Sequence, residues 1–236
     1  LEVNNLHHFK DVGDESILLS KVGTTIVSRN RSLGAKFIEK HKDKFNVIIM
    51  DDGLQNYQLK QDIKFLLIDK NLKLGNGYCL PAGPLRQSIK NGLTDIDRIV
   101  ITGENKKKEN EFMKTFKIPL ISSKIKVTNL PKIKKEKLLA FCGLANPSKF
   151  YQTLSENGYI ISTTKTFPDH YAYKRHDIDQ LISNANKEKL KLITTEKDYV
   201  KIREKNSNIH FLPIKIELSG KDKLNFETIL QEKLNA

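Results

Sequence analysis

The sequence predicts an α/β protein built on parallel sheet. Short β-branched apolar runs recur along the chain and alternate with helical or loop segments, the pattern that builds parallel sheets. The chain has 236 residues, 38% of them hydrophobic and 29% charged. That is enough for one large domain or two small ones with a packed core. No stretch approaches the roughly 18 apolar residues that span a bilayer.

Residues 24–28 (Thr-Thr-Ile-Val-Ser) read as a strand. Residues 32–44 read as a helix, because Leu33, Phe37 and Ile38 fall at helical spacing among charges. Val47-Ile48-Ile49-Met50-Asp51 reads as a buried strand that delivers two adjacent aspartates, Asp51 and Asp52, to a sheet edge ahead of Gly53. Lys64 to Asp69 and Arg98 to Thr102 are further strands. The segment between them, Gly75 to Arg86, is rich in Gly and Pro and makes a long ordered loop, of a kind that is often functional in α/β domains. Residues 104–114 are charged and helical in character, and 124–137 are rich in lysine and poor in apolar residues. The latter stretch reads as a linker, or a pair of thin strands, between a first domain at 1–123 and a second, smaller α/β domain at 138–236.

In that second domain Leu138 to Cys142 is a strand. Asn146 caps the next helix, Pro147 suits its first turn and Gly158 ends it. Tyr159 to Thr164 is a strand, and 177–188 is a helix capped by Asp177. Leu190 to Thr194 is another strand, and Thr195-Glu196-Lys197-Asp198 opens a helix as a capping-box variant. His210 to Ile214 is a late strand and 224–234 a closing helix. There is no internal repeat.

The net charge of +13 favours polyanionic partners: nucleotides, nucleic acid or an anionic membrane face. Lysine enrichment from an AT-rich genome explains the same number. Cys79 and Cys142 form no metal-binding or disulfide pattern, which fits a reducing compartment. Leu1-Glu2-Val3-Asn4-Asn5 is polar, without an initiator Met or a signal-peptide pattern, as expected of a segment from inside a longer protein.

Several short motifs bear chemistry. Two like charges at a strand end repel unless a cation or donors neutralise them, so Asp51 and Asp52 read either as a Mg²⁺ pair or as a solvated Asp-Gly turn. Gln55 adds an amide nearby. Asp14 and Glu15, after Gly13, read as a general base with a companion acid or as N-terminal charges favourable to a helix dipole over 16–21. In Phe167-Pro168-Asp169-His170-Tyr171 a carboxylate adjoins an imidazole, which orients the ring or raises its pKa; an ordinary surface loop is the competing reading. Arg86 is a candidate bidentate phosphate clamp. Thr195-Glu196-Lys197-Asp198 is explained by capping alone. No segment reads G-x-x-x-x-G-K-[ST], the phosphate-cradling partner of a strand that ends in metal-binding carboxylates.

In order, V-G-D-E (12–15), I-M-D-D-G-L-Q (49–55), L-P-A-G-P-L-R (80–86), G-L-A-N-P (143–147), F-P-D-H-Y (167–171) and T-E-K-D-Y-V-K (195–201) resemble the tetraacyldisaccharide 4′-kinases of lipid A biosynthesis. The resemblance runs from about residue 8 to about 202. It implies a P-loop-type α/β core with a smaller C-terminal domain, and transfer of the ATP γ-phosphate to the 4′-hydroxyl of a tetraacylated glucosamine disaccharide 1-phosphate. It implies peripheral residence at the cytoplasmic face of the inner membrane, ATP and Mg²⁺ as cofactors, and no nucleic-acid partner. Carried over by position, Asp14 is the base that accepts the hydroxyl proton and His170 its partner. Asp51 and Asp52 serve Mg²⁺, while Glu15, Gln55 and Arg86 line the ATP and metal site.

The chain departs from the family pattern in two ways. The strand–glycine-loop–helix with G-K-T is absent from these residues, so the sequence reads as roughly the C-terminal three-quarters of a family member. Such a chain is expected to have negligible kinase activity alone and to need a separately supplied phosphate loop. Gln87 stands where the family has Glu after the Arg of L-R-E. A basic module that binds nucleic acid or anionic membrane is the alternative reading, resting on the net charge and the lysine-rich stretch.

Overall fold

The structure, a computed structural model, describes residues 1–235 except 42, 104–115, 129, 130, 132, 134 and 203–207. The chain divides into two units, one formed by 1–30 and 127–214, the other by 31–126 and 215–236.

The first unit contains a four-stranded parallel sheet in the order β5-β4-β6-β7. Its strands are β4 (Lys137–Cys142), β5 (Ile160–Thr166), β6 (Lys191–Thr195) and β7 (Ile209–Leu212). Helix α5 (Pro147–Glu156) links β4 to β5, and α6 (Arg175–Lys187) links β5 to β6. Side chains alternate across a strand, and β4 buries both faces. Leu138, Ala140 and Cys142 join Phe150 and Leu154 of α5, whereas Leu139 and Phe141 join Ile178, Leu181 and Ala185 of α6. Such two-sided burial explains why β4 reads as an unbroken apolar run. Three short helices complete the unit: α1 (Phe9–Val12), α2 (Asp14–Ser20) and, directly after β6, α7 (Glu196–Tyr199). α2 packs on α7.

Cys142 lies inside this core, and burial pushes its thiol above the ordinary range. Cys79 is half-buried in the other unit. An aromatic disulfide reagent is therefore expected to label Cys79 in the folded protein and Cys142 only on unfolding, since the thiolate is the reactive form. Titration with and without denaturant, followed by peptide mapping, checks this.

The second unit carries the sheet β1-β2-β3-β8, made of β1 (Phe65–Asp69), β2 (Arg98–Thr102), β3 (Leu120–Val127) and β8 (Ile214–Leu218). β1 with β2 and β2 with β3 are parallel. Ile68, Ile99 and Ile101 form its core. Helices α3 (Arg31–Glu39), α4 (Ile89–Gly92) and α8 (Gly220–Leu234) belong to the same unit. Among the described residues no helix is long and apolar enough to cross a membrane.

This architecture is the predicted α/β class with parallel sheets, but it differs from the sequence reading in particular places. Residues 47–50 form no strand, and Val47, Ile48 and Ile49 are exposed, Ile49 by 91%. An apolar run becomes a strand only when a neighbour takes up its backbone hydrogen bonds, and no described strand pairs with this one. Residues 24–28 contribute only an isolated antiparallel bridge, Glu2 to Ile26. The units do not follow the boundaries drawn at 123 and 138. Residues 1–30 pack with the C-terminal sheet, and 215–236 return to the sheet of the N-terminal half. The return is made by β8, a strand absent from the sequence reading because Pro213 separates it from β7 by a single residue. Part of the expected linker is strand, since β3 runs to Val127. The helix expected at 104–114 lies outside the described residues.

Candidate functional site

In open α/β sheets, ligands bind outside the carboxyl ends of the strands, at the point where strand order reverses. In the first unit the chain goes from β4 to β5 on one side and returns to β6 on the other, so the reversal lies between β4 and β6. The motif blocks at 143–147, 167–171 and 195–201 all follow the carboxyl ends of β4, β5 or β6. The sheet therefore gathers at one edge what the sequence scatters.

Asp14 opens α2 and is buried, with Gly13 rather than an acid as the N-cap. Its Oδ1 accepts the Glu15 N–H at 3.1 Å. Its Oδ2 stands 3.4 Å from His170 Nδ1 and has no hydrogen-bond donor among the described residues. His170 sits at φ 54°, in the left-handed region. Asp169 Oδ1 accepts the His170 backbone N–H at 3.0 Å, and the Asp169 carboxylate lies 4.0 Å from the other ring nitrogen. The loop is braced by stacked Phe167 and Tyr171 rings, with Tyr173 edge-on to both. Tyr171 also donates its hydroxyl to Asp177 Oδ2 at 3.2 Å. Asp177 caps α6 from its third residue rather than its first, accepting the Lys174 N–H at 2.8 Å.

Beneath this pair lies a group the sequence reading missed. Asp198 and Lys201 are fully buried and form an ion pair with Lys201 Nζ 2.7 Å from Asp198 Oδ1. Asp198 Oδ2 accepts the Gly143 N–H at 3.0 Å and the Thr195 hydroxyl at 2.8 Å. Thr195 does cap α7, accepting the Asp198 N–H at 3.0 Å, so capping explains half of the T-E-K-D block. The other half is charge pairing. Lys197 Nζ reaches Glu15 Oε1 at 2.8 Å. Burial pulls the Lys197 ammonium down, but Glu15, Asp14 and Asp169 outweigh it and hold the pKa above the ordinary value. Burial, and then the Asp198 charge, push the Tyr173 hydroxyl far up. The four-residue spacing of Lys197 and Lys201 was the available signal, but spacing alone does not reveal which acids face them.

Gly143 belongs to this arrangement for a steric reason. A Cβ there would stand 2.8 Å from the Pro168 carbonyl oxygen and 3.2 Å from Tyr171 Cβ. Gly143→Ala is expected to push the 167–171 loop off β4 and cost about 1–3 kcal/mol, the usual range for overpacking. Urea unfolding followed by the near-ultraviolet signal of the tyrosine cluster checks the shift.

In the second unit Asp51 and Asp52 lie on an exposed turn, with Asp52 at φ 49°. Asp52 Oδ2 accepts a hydrogen bond from Arg86 Nη1 at 2.9 Å, and the Asp51 carbonyl accepts one from Arg31 Nη2 at 3.4 Å. Gly53 allows close approach, since a Cβ there would meet Met50 Cβ at 2.7 Å. Gln61, absent from the sequence reading, fixes the turn by donating to the Gly53 and Asn56 carbonyls at 2.7 and 3.1 Å. Gln55 is exposed on the same turn. Gly83 of the L-P-A-G-P segment packs against the Asn76 side chain and the Tyr78 carbonyl. Gln87 Oε1 accepts the Tyr57 hydroxyl at 3.4 Å. Among the described residues no three His, Cys, Asp or Glu side chains converge as a complete metal cage. The structure brings Asp14, Glu15 and His170 together in one unit; Asp51, Asp52, Gln55 and Arg86 belong to the other.

The family model for tetraacyldisaccharide-1-P 4′-kinase matches residues 1–235. The chain belongs to that family. A tetraacyldisaccharide 4′-kinase of Rickettsia akari (strain Hartford) is 36% identical over 220 residues, 93% of this chain and 66% of the relative. One from Chelativorans sp. (strain BNC1) is 36% identical over 194 residues, 81% of this chain and 56% of the relative. The chain thus spans about two thirds or less of these family members. A crystal structure of LpxK from Aquifex aeolicus in complex with ATP aligns with a TM-score of 0.73 at 25% identity, covering 99% of this chain and 74% of that one. The fold expected of the tetraacyldisaccharide 4′-kinase family is therefore the fold observed.

Proposed function

We propose that this chain supplies the acceptor-activating and metal-binding parts of a kinase that transfers the ATP γ-phosphate to the 4′-hydroxyl of tetraacyldisaccharide 1-phosphate. The observation that carries the reading is the buried Asp14 Oδ2, which has no hydrogen-bond donor among the described residues and stands 3.4 Å from His170 Nδ1. A buried carboxylate oxygen without a donor is a ready acceptor for a hydroxyl proton. In the transfer, the sugar oxygen bonds to the γ-phosphorus, the bond to the β–γ bridging oxygen breaks, and the hydroxyl proton passes to Asp14. His170 orients that carboxylate. Phosphoryl transfer needs positioning and charge neutralisation more than covalent chemistry, so a carboxylate that aligns the hydroxyl is sufficient.

Asp51 and Asp52 would hold Mg²⁺, with Gln55 beside them and Arg86 on the nucleotide phosphates, while Glu15 would serve the nucleotide from its own unit, next to Asp14. Two carboxylates and an amide are hard oxygen donors, and Mg²⁺ is commonly held by one or two carboxylates together with substrate phosphates and water. The small donor set fits that habit. When bound, the ion neutralises charge on the phosphates. Arg86 is a fork-shaped cation already aimed at Asp52, and in this reading it exchanges that exposed pair for a phosphate oxygen.

Residues 1–236 contain no G-x-x-x-x-G-K-[ST], so the phosphate cradle is assigned to polypeptide outside them. The net charge of +13 suits peripheral residence on an anionic membrane face, at about 1 kcal/mol per well-placed Lys or Arg. The test is transfer of label from γ-labelled ATP with Mg²⁺ to tetraacyldisaccharide 1-phosphate. The chain is assayed alone and with a polypeptide carrying a family phosphate loop. Labelled 4′-phosphate only in the combined reaction is the expected result. No transfer in either reaction, with nucleotide bound, overturns the reading.

A further inference from the structure

We propose that Lys201 is a positioning residue for the Asp14–His170 pair, an inference that rests on Asp14 being the proton acceptor. Lys201 is 1% exposed. Its Nζ is 2.7 Å from Asp198 Oδ1 and 4.0 Å from Asp14 Oδ2, and it lies over the Tyr173 ring, 5.5 Å from the centroid.

A desolvated ammonium needs a carboxylate, and Asp198 meets that need by itself. The second carboxylate, Asp14, is therefore what calls for explanation. Asp14 Oδ2 has the imidazole on one side at 3.4 Å and the ammonium on another at 4.0 Å. At 4.0 Å the ammonium attracts the carboxylate without donating a hydrogen bond to it. The charge holds Oδ2 in place without a donor on its lone pair. A lysine at hydrogen-bond distance would occupy the same lone pair and block the base.

The ammonium is itself fixed from the sheet. Asp198 is locked by the Gly143 N–H at the end of β4 and the Thr195 hydroxyl at the end of β6. A chain of contacts then runs from the sheet edge through Asp198 and Lys201 to Asp14 and His170. Lys197, four residues earlier in the same block, holds Glu15 in parallel. The block at 195–201 thus grips both acids of α2.

The test reads His170 directly. Ring ¹⁵N resonances are recorded on this chain for the wild type, Asp14→Asn and Lys201→Met, with His170→Gln used for assignment. Leu154→Ala, a core change in α5, is the control for lost stability alone. Lys201→Met is expected to move the His170 ring signal towards its position in Asp14→Asn, whereas Leu154→Ala leaves it in place. An unchanged signal in folded Lys201→Met overturns the inference. If Lys201→Met does not fold, Asp198→Asn/Lys201→Met removes both buried charges together and is read in the same way. Unfolding of both variants would assign Lys201 to stability alone and also overturn it.

In the kinase reaction with a phosphate loop supplied, Lys201→Met is expected to lower kcat by about 10- to 100-fold, the scale of a small misplacement at a reacting centre, with the KM for ATP held. A kcat equal to wild type overturns the inference. If the wild type transfers no phosphate, the proposed function falls and the ring signal alone decides on Lys201.

Discussion

Asp14→Asn is expected to lower kcat for phosphate transfer by about 10²–10⁴-fold, the range for loss of a general base, with little change in the KM for ATP. The amide keeps the volume and the Glu15 N–H contact to Oδ1 but removes the charge that accepts the hydroxyl proton in the proposed reaction. His170→Gln should fall in the same direction by a smaller factor, because in the proposed reaction the imidazole orients Oδ2 rather than taking the proton. The two effects should not add, since both residues act on one proton. Steady-state kinetics of the two single variants and the double variant, with a phosphate loop supplied, measure this. A double variant whose loss equals the product of the single losses would separate the two residues functionally.

Asp198→Ala is expected to destabilise the first unit by about 3–5 kcal/mol, the scale for breaking a buried ion pair from one side. Asp198 is fully buried, and its removal strands the Lys201 ammonium. It also strands the Gly143 N–H and the Thr195 hydroxyl, both of which it accepts. Removing Lys201 as well should restore much of the loss, because the stranded ammonium is then gone. Urea midpoints of Asp198→Ala and Asp198→Ala/Lys201→Met test this. A double variant no more stable than the single one would show that the contacts to the Gly143 N–H and the Thr195 hydroxyl, rather than the charge pair, hold the unit together.

Much of the fold was legible because its elements are set by local pattern. β2 occupies 98–102 as read from five β-branched and flanking residues. Pro147 begins α5, and Gly158, at φ 80°, follows its end. Thr195 caps α7. The same reasoning failed at 47–51, where composition describes a strand but pairing decides whether one forms. It failed again at residues 1–30 and 215–236, whose partners lie far away in sequence. Asp14 and His170 were named from their motifs, and the structure brings them within 3.4 Å. Asp198, Lys201 and Gly143 were passed over because a buried charge pair looks like any other Asp-x-x-Lys segment until its surroundings are known.

The sequence by itself determined the α/β class, most of the strands and helices, and the family to which the six ordered blocks belong. These depend on side-chain periodicity and capping, which act over a few residues. Only the tertiary structure decided which acids lie buried, which lysines face them, and that 47–50 remains unpaired. Burial and charge pairing join positions such as Gly143 and Asp198, 55 residues apart, and no local pattern carries that distance.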